Sequence, residues 1–336
     1  MPYPTRKIGN TEVSAIGFGA MGIAAFYGAT EPDEERFKVL DAVLEGGCNF
    51  WDTADAYLDS EDLIGKWLKR TGKRSEIFLA TKFGLANDSG KTVDGDPKYV
   101  PRALAKSLQR LGVDYIDLYY LHRPDPTVPI ELTIGALAEQ VKAGKIKYIG
   151  LSECSEATLR RAHAVHPISA LQVEYSPFTL DIEDPKIGLF RAARELGITL
   201  IAYSPLGRGL LAGQIRSRAD LDPDDFRLAV PRYSEENFPK IIKLADDLKA
   251  IGAAHNATAG QVALAWILAQ GDDIIPIPGT KKIKYLKENL GAVDVKLSKE
   301  EVAKVREIAE TADKAWDGDR YPAVLQQVLY ADTPAL

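Results

Sequence analysis

Four side chains in the first half of this sequence could together move a proton onto an oxygen: Asp52, Tyr57, Lys82 and His122. A tyrosine hydroxyl is a weak acid, with an ordinary pKa of about 10. A lysine ammonium beside it favours the phenolate, lowers that pKa and eases proton donation near neutrality. The ammonium needs an anion to stay charged away from water, and Asp52 supplies one. An imidazole such as His122 orients or polarises a carbonyl oxygen. A relay of this kind forms no covalent intermediate and needs no metal ion. Each residue also has a plainer reading on its own. Asp52 could cap a turn, Lys82 could end a strand in solvent, His122 could pack before Arg123-Pro124, and Tyr57 is one of 14 tyrosines. Joint placement at one rim is what favours chemistry.

That placement depends on the elements between the four residues. Short β-rich runs occur at 16–19, 48–52, 77–82, 115–121, 147–151, 170–175, 198–203 and 274–277. Several are almost wholly apolar, as suits parallel strands buried on both faces. Helical patterns follow them at 33–45, 60–71, 97–111, 130–143, 155–164, 186–196, 259–270 and 283–290, with extra helices near 238–253 and 299–311. Eight such units with short connections predict an α/β fold, a (β/α)8 TIM barrel of one domain over residues 1–336, with a hairpin turning at Gly9-Asn10 in front. Catalytic groups of such a barrel sit at the C-terminal ends of its strands. The second run ends at Asp52 with Tyr57 just beyond, the third at Lys82, and Tyr120-Leu121 of the fourth lead into His122. Two stretches break the short-loop pattern, the connection 205–237 and the tail 313–336. Both are expected near the active-site mouth.

Composition narrows the class. Lys and Arg number 42 against 48 Asp and Glu, a net charge of −6, so the basic face that nucleic acid or a membrane surface would need is not expected. Two cysteines, Cys48 and Cys154, make no disulfide framework and fit a reducing compartment. The N-terminus has no apolar leader and no apolar run is long enough for a membrane span, so a cytoplasmic protein is expected. Other motifs are weaker. Gly17-Phe18-Gly19-Ala20-Met21-Gly22 fits a dinucleotide fingerprint, but a loop follows it and the next helix begins only after Pro32. Gly150-Leu151-Ser152 lacks the closing glycine of a nucleophile elbow. His163 and His166 have no further ligand to complete a metal site, and no metal is expected. Lys281, Lys282, Lys284 and Lys287 crowd the start of the last barrel helix, where acids are usual. An anionic ligand would explain that reversal.

The ordered set of motifs resembles the aldo-keto reductase superfamily nearly end to end. The set comprises Gly17-Phe18-Gly19, Trp51-Asp52-Thr53-Ala54-Asp55-Ala56-Tyr57, Ala80-Thr81-Lys82-Phe83-Gly84, the run from Asp114 to His122 and Gly150-Leu151-Ser152. It continues with Leu171-Gln172 through Pro177, Ala202-Tyr203-Ser204-Pro205-Leu206-Gly207-Arg208-Gly209, Ile277-Pro278-Gly279-Thr280 and Glu288-Asn289. Within that superfamily it is most similar to the fungal and plant NADPH-dependent members. The resemblance implies NADP(H) bound in extended form and reduction of aldehydes or ketones to alcohols. It implies Asp52, Tyr57, Lys82 and His122 as the catalytic tetrad, with Tyr57 as general acid. Ser152 and Gln172 would hold the nicotinamide carboxamide, and Tyr203 would stack on the ring. Ser204, Leu206, Gly207 and Arg208 would line the pyrophosphate. Gly279, Thr280, Lys281, Glu288 and Asn289 would hold the adenosine phosphate end, with Gly19, Met21, Asp52 and Tyr285 completing the cofactor set.

Three positions depart from that pattern. Glu153 stands where asparagine is common, and its carboxylate could accept from the carboxamide. Leu58 replaces the usual glycine after the tyrosine. Tyr285 occupies the place of an arginine that often reads the 2′-phosphate, which leaves that phosphate to the lysines. Phe26, Tyr27, Phe83 and Trp316, with Tyr57 and His122, are candidate substrate contacts, though ordinary loop anchoring accounts equally well for the first four. Two other functions compete with carbonyl reduction: a Schiff-base lyase using Lys82 as nucleophile, and a cofactor-binding regulatory subunit.

Overall fold

The structure, a computed structural model, describes residues 3–28, 30–85 and 90–336. The chain opens with a hairpin of β1 (Thr5–Ile8) and β2 (Thr11–Ser14), paired antiparallel around Gly9, whose φ of +55° suits a tight turn. Among the described residues, eight parallel strands follow: β3 (Phe18–Gly19), β4 (Phe50–Asp52), β5 (Phe78–Phe83), β6 (Ile116–Leu121), β7 (Ile146–Ser152), β8 (Ile168–Glu174), β9 (Thr199–Tyr203) and β10 (Ile274–Pro276). Each pairs with the next in chain order. The ring closes where Gly17 N–H donates to the Pro276 carbonyl at 2.9 Å and Gly19 N–H to Pro278 at 3.2 Å.

This closure explains the glycine-rich motif near the N-terminus. A Cβ on Gly19 would stand 2.7 Å from the Ile277 carbonyl oxygen, and one on Gly279 would stand 2.4 Å from the Gly19 carbonyl oxygen. Glycine is required there because two backbones meet across the barrel seam. The stretch after Gly22, expected as loop, begins inside a single helical turn at Met21–Ala24.

The helices are α1 (Met21–Ala24), α2 (Asp33–Glu45), α3 (Ser60–Thr71), α4 (Val100–Leu111), α5 (Ile130–Lys142), α6 (Glu156–Val165) and α7 (Leu189–Glu195). They continue with α8 (Phe238–Gly252), α9 (Ala259–Ala269), α10 (Ile283–Leu290), α11 (Lys299–Asp313) and α12 (Ala323–Gln326). Starts agree with local chemistry. Ser155 caps α6 by accepting from Thr158 N–H, and Thr258–Gln261 and Ser298–Glu301 form reciprocal capping boxes on α9 and α11. The helix expected from 186 begins only at Leu189, because Gly188 before it is left-handed, with φ +68°. Connection 205–237 is a chain of short 3-10 turns, and α12 interrupts the tail.

Side chains from alternate strand positions fill the barrel. Phe50, Phe78, Leu118, Ile201 and Ile275 form its interior, and Ile8 and Val13 of the hairpin close its N-terminal end. The hairpin is also hydrogen-bonded there: Thr199 Oγ1 donates to the Lys7 carbonyl at 2.8 Å, and Arg6 donates to the Leu268 carbonyl at 2.6 Å. With that end sealed, the opposite rim is open for a site. Among the described residues, no helix is long and apolar enough to cross a membrane.

Candidate active site

A cavity of about 610 Å³ opens at the C-terminal ends of the strands. Asp52 ends β4. The ladder runs on past it through Thr53 N–H to the Ala80 carbonyl and Asp55 N–H to the Lys82 carbonyl. That extension places the turn bearing Tyr57 over Lys82 of β5. Lys82 is fully buried. Its ammonium donates to Asp52 Oδ1 at 2.5 Å and the Thr53 carbonyl at 2.8 Å, and lies 3.4 Å from the Tyr57 hydroxyl. Gln172 Nε2 occupies the other Asp52 oxygen at 2.8 Å. His122, one residue beyond β6, meets the Tyr57 ring edge-on, with centroids 5.7 Å apart. The four residues are thus one contiguous group, and three of them, Asp52, Tyr57 and His122, border the cavity.

Burial sets the protonation states. Loss of water raises the Tyr57 phenol above its ordinary value, and the Lys82 ammonium pulls it only part of the way back. The expected depression by lysine is therefore present but outweighed. Burial disfavours the Lys82 ammonium too, yet Asp52 and Tyr57 more than compensate and hold it charged. His122 is pushed well below the usual imidazole range, first by burial and then by Lys82 and Arg123. It is a neutral ring, and its buried Nδ1 has no hydrogen-bond partner among the described residues.

The residues implied for a cofactor spread along the same cavity. Gly19, Met21, Ser152, Gln172, Tyr203, Ser204, Leu206 and Arg208 line one part of it. Gly279, Thr280, Lys281, Tyr285, Glu288 and Asn289 line another. Ser152 Oγ accepts from Arg123 Nη1 at 3.0 Å, so its own proton is directed elsewhere. Lys281 donates to the Tyr27 carbonyl at 2.5 Å, which ties the last barrel loop to the first. Gly207 does not line the cavity. With φ +55° it serves the tight turn that brings Arg208 to the wall.

Several expectations are corrected by the packing. Phe26 and Tyr27 border the cavity, but Phe83 and Trp316 do not. Phe83 is on the outward side of β5, stacked on Tyr119 at 5.0 Å between sheet and helices. Trp316 is buried against Phe178 at 4.6 Å. Glu153 is not at the cavity either. It is fully buried, its carboxylate taken by Arg320, Tyr203 and the Glu174 N–H. His163 Nδ1 accepts from Ile168 N–H and helps to close the turn after α6. Cavity residues that the sequence did not single out include Arg123, Phe226, Arg227, Tyr321 and Leu325. Arg123 follows His122 directly, a usable signal. The others come from aperiodic segments that give none.

Known proteins resemble this chain in sequence and in fold. The model of the Aldo/keto reductase family matches residues 15–310. Aldo-keto reductase str7 of Strobilurus tenacellus is 64% identical over 93% of this chain and 94% of its own length. Aldo-keto reductase yakc [NADP(+)] of Schizosaccharomyces pombe is 51% identical over 100% of this chain and 99% of its own. Among solved structures, the glycerol dehydrogenase of Gluconobacter oxydans superposes with a TM-score of 0.81 at 26% identity, covering 92% of this chain and 95% of that one. On these matches, as on its barrel and its buried group of strand-end residues, the chain belongs to the aldo/keto reductase family.

Proposed function

We propose that this chain reduces aldehydes or ketones to alcohols with NADPH, and that Tyr57 is the general acid. The observation that carries the reading is the buried chain from Asp52 through Lys82 to Tyr57, ending with His122 at one cavity. The residues present fit the cofactor. Arg208 lines the cavity, and its buried Nη1 has no partner among the described residues, a donor suited to a pyrophosphate oxygen. Lys281 and Lys282 precede α10, whose first turn carries no acid, and suit the 2′-phosphate that distinguishes NADPH from NADH. Ser152 can donate to a carboxamide oxygen. Gln172 gives one Nε2 hydrogen to Asp52 and keeps its carbonyl oxygen as an acceptor.

When bound, NADPH supplies a hydride to the carbonyl carbon. The protein's part is to hold and deliver the proton. Tyr57 donates its hydroxyl proton to the carbonyl oxygen as charge develops there. Lys82 stabilises the phenolate left behind and Asp52 holds Lys82 charged. Neutral His122 offers an N–H to the same oxygen and orients it. The lyase alternative is weakened by the same contacts, because a Schiff base needs an uncharged, accessible amine and Lys82 is neither. We take the chain as one domain, with 205–237 and 313–336 flanking the mouth, working in the cytoplasm on a small carbonyl substrate without nucleic-acid or membrane partners.

The test is cofactor consumption with a panel of small aldehydes and ketones, run with NADPH and NADH. Turnover with preference for NADPH is expected. Tyr57→Phe should keep NADPH binding and lose about 10²–10⁴-fold in kcat. Near-normal turnover by that variant would remove Tyr57 from the role.

A further inference from the structure

We propose that Glu153 and Arg320 are a latch: positioning residues that dock the C-terminal tail and fix Tyr203 and Tyr321 in the cavity wall. The proposal rests on the reading of Tyr203 as the surface against which the cofactor ring stacks. It goes beyond that reading by naming what holds the surface in place.

Glu153 follows β7 with φ +52°, a left-handed conformation uncommon for a residue with a side chain. This turn sends its N–H to the Gln172 carbonyl at 3.1 Å and leaves the carboxylate under the rim. There it accepts from Arg320 Nη2 at 2.8 Å, from Tyr203 OH at 2.8 Å and from Glu174 N–H at 3.1 Å. Arg320 also donates to Glu174 at 3.0 Å, and Arg208 lies 3.6 Å from the same carboxylate. Two carboxylates and two guanidiniums are thus buried together, with Asp181 a further 3.8 Å contact of Arg320. Arg320 and Arg123 hold the Glu153 carboxyl below its usual range against the effect of burial.

The network reaches the cavity through two hydroxyls. Tyr321, next to Arg320, donates to the Tyr203 hydroxyl at 3.0 Å, and Tyr203 donates on to Glu153. Both rings, with Leu325 four residues further, line the cavity. Tyr203 therefore presents its ring to the cavity while its hydroxyl is held behind. The Arg208 guanidinium lies 4.4 Å from the centre of the Tyr321 ring, which joins the long connection to the tail. A second anchor holds the tail beyond this segment: Thr333 N–H donates to Thr158 Oγ1 and Ser155 N–H to the Ala331 carbonyl. Release of Arg320 should accordingly loosen residues near 319–329 and leave the last residues docked.

The experiment compares full-length Glu153→Gln, Arg320→Leu and the double variant with wild type. It measures NADPH affinity by fluorescence titration, KM and kcat for an aldehyde the wild type reduces, and hydrogen exchange across the tail. The double variant removes both partners and leaves Glu174 facing Arg208, so it remains testable if a single variant fails to fold. The latch predicts about tenfold weaker NADPH binding and a raised KM, with kcat at saturation little changed. It also predicts faster exchange confined to 319–329, and a double variant no worse than the worse single. A folded double variant with wild-type NADPH affinity, KM and tail protection would overturn it, as would fully multiplicative effects. If wild type binds no NADPH, the cofactor reading fails instead, and the latch stands or falls on the exchange pattern.

Discussion

Two sides of the cavity use the same three kinds of group, a carboxylate, a cation and a tyrosine, to opposite ends. In the relay, the Tyr57 hydroxyl stands 3.4 Å from the Lys82 ammonium. The carboxylate is one step further back, on the lysine. In the latch, the Tyr203 hydroxyl donates straight to the Glu153 carboxylate, and the cation, Arg320, is the more remote member. Burial raises both phenols. Lys82 then pulls Tyr57 down, whereas Glu153 pushes Tyr203 further up. In the reading proposed above, one arrangement prepares a proton for transfer and the other locks a proton into a structural bond. Burial is the larger effect on both phenols, and the order of the groups along the chain of contacts sets the sign of the charge effect added to it.

Exchanging or deleting the nearest charge is the strongest way to break this comparison. Lys82→Met removes the cation behind Tyr57 and leaves Asp52 buried without its partner, so its loss in kcat should at least equal the roughly 10²–10⁴-fold attributed to the general acid. Circular dichroism would establish that the variant is folded. A modest loss with an unchanged pH–rate profile would mean that the ammonium does not serve the tyrosine.

A smaller effect sharpens the contrast. Tyr203→Phe deletes only a hydroxyl whose partners are Glu153 and Tyr321. A bond to a charged carboxylate is worth about 1.5–3 kcal/mol, or roughly tenfold or more in NADPH affinity, with kcat nearly intact. The same change at Tyr57 should give the reverse split. Equal patterns in the two variants would show that the tyrosines are not functionally distinct.

The smallest expected effect is a flat pH profile. Because the Tyr57 pKa is raised, its donor form is present at lower pH and is lost only as pH rises through that raised value. His122, lowered well below its ordinary range, is already neutral near neutrality. The rate of reduction should therefore show no limb between about pH 6 and 9, measured as kcat at saturating substrate. A limb inside that window would mean that the pull of Lys82 outweighs burial.

The barrel and the relay were legible because they depend on local order. Apolar runs such as Ile116–Leu121 are strands on both chemical and length grounds, and the strand ends carry Asp52, Lys82 and His122 in sequence. Parallel strands in a closed ring bring such ends to one rim, so chain order suffices to group the residues. Even the competing dinucleotide fingerprint could be set aside from sequence, by the missing long helix after it. The side from which a residue faces its neighbours was less secure. Phe83, next to Lys82 on β5, turns into the layer between sheet and helices because adjacent strand residues alternate faces.

The sequence by itself determined the class of fold and the family, since motifs at strand ends and the periodicity between them are local properties. Only the tertiary structure decided what Glu153 does. Its meaning depends on Arg320, 167 positions away in a segment with no periodic pattern, and on a left-handed turn that carries the carboxylate away from the cavity. Tertiary structure also decided the protonation of Tyr57. Proximity to a lysine can be inferred from strand order, but the extent of desolvation arises only when the barrel, the long connection and the tail close over the same space.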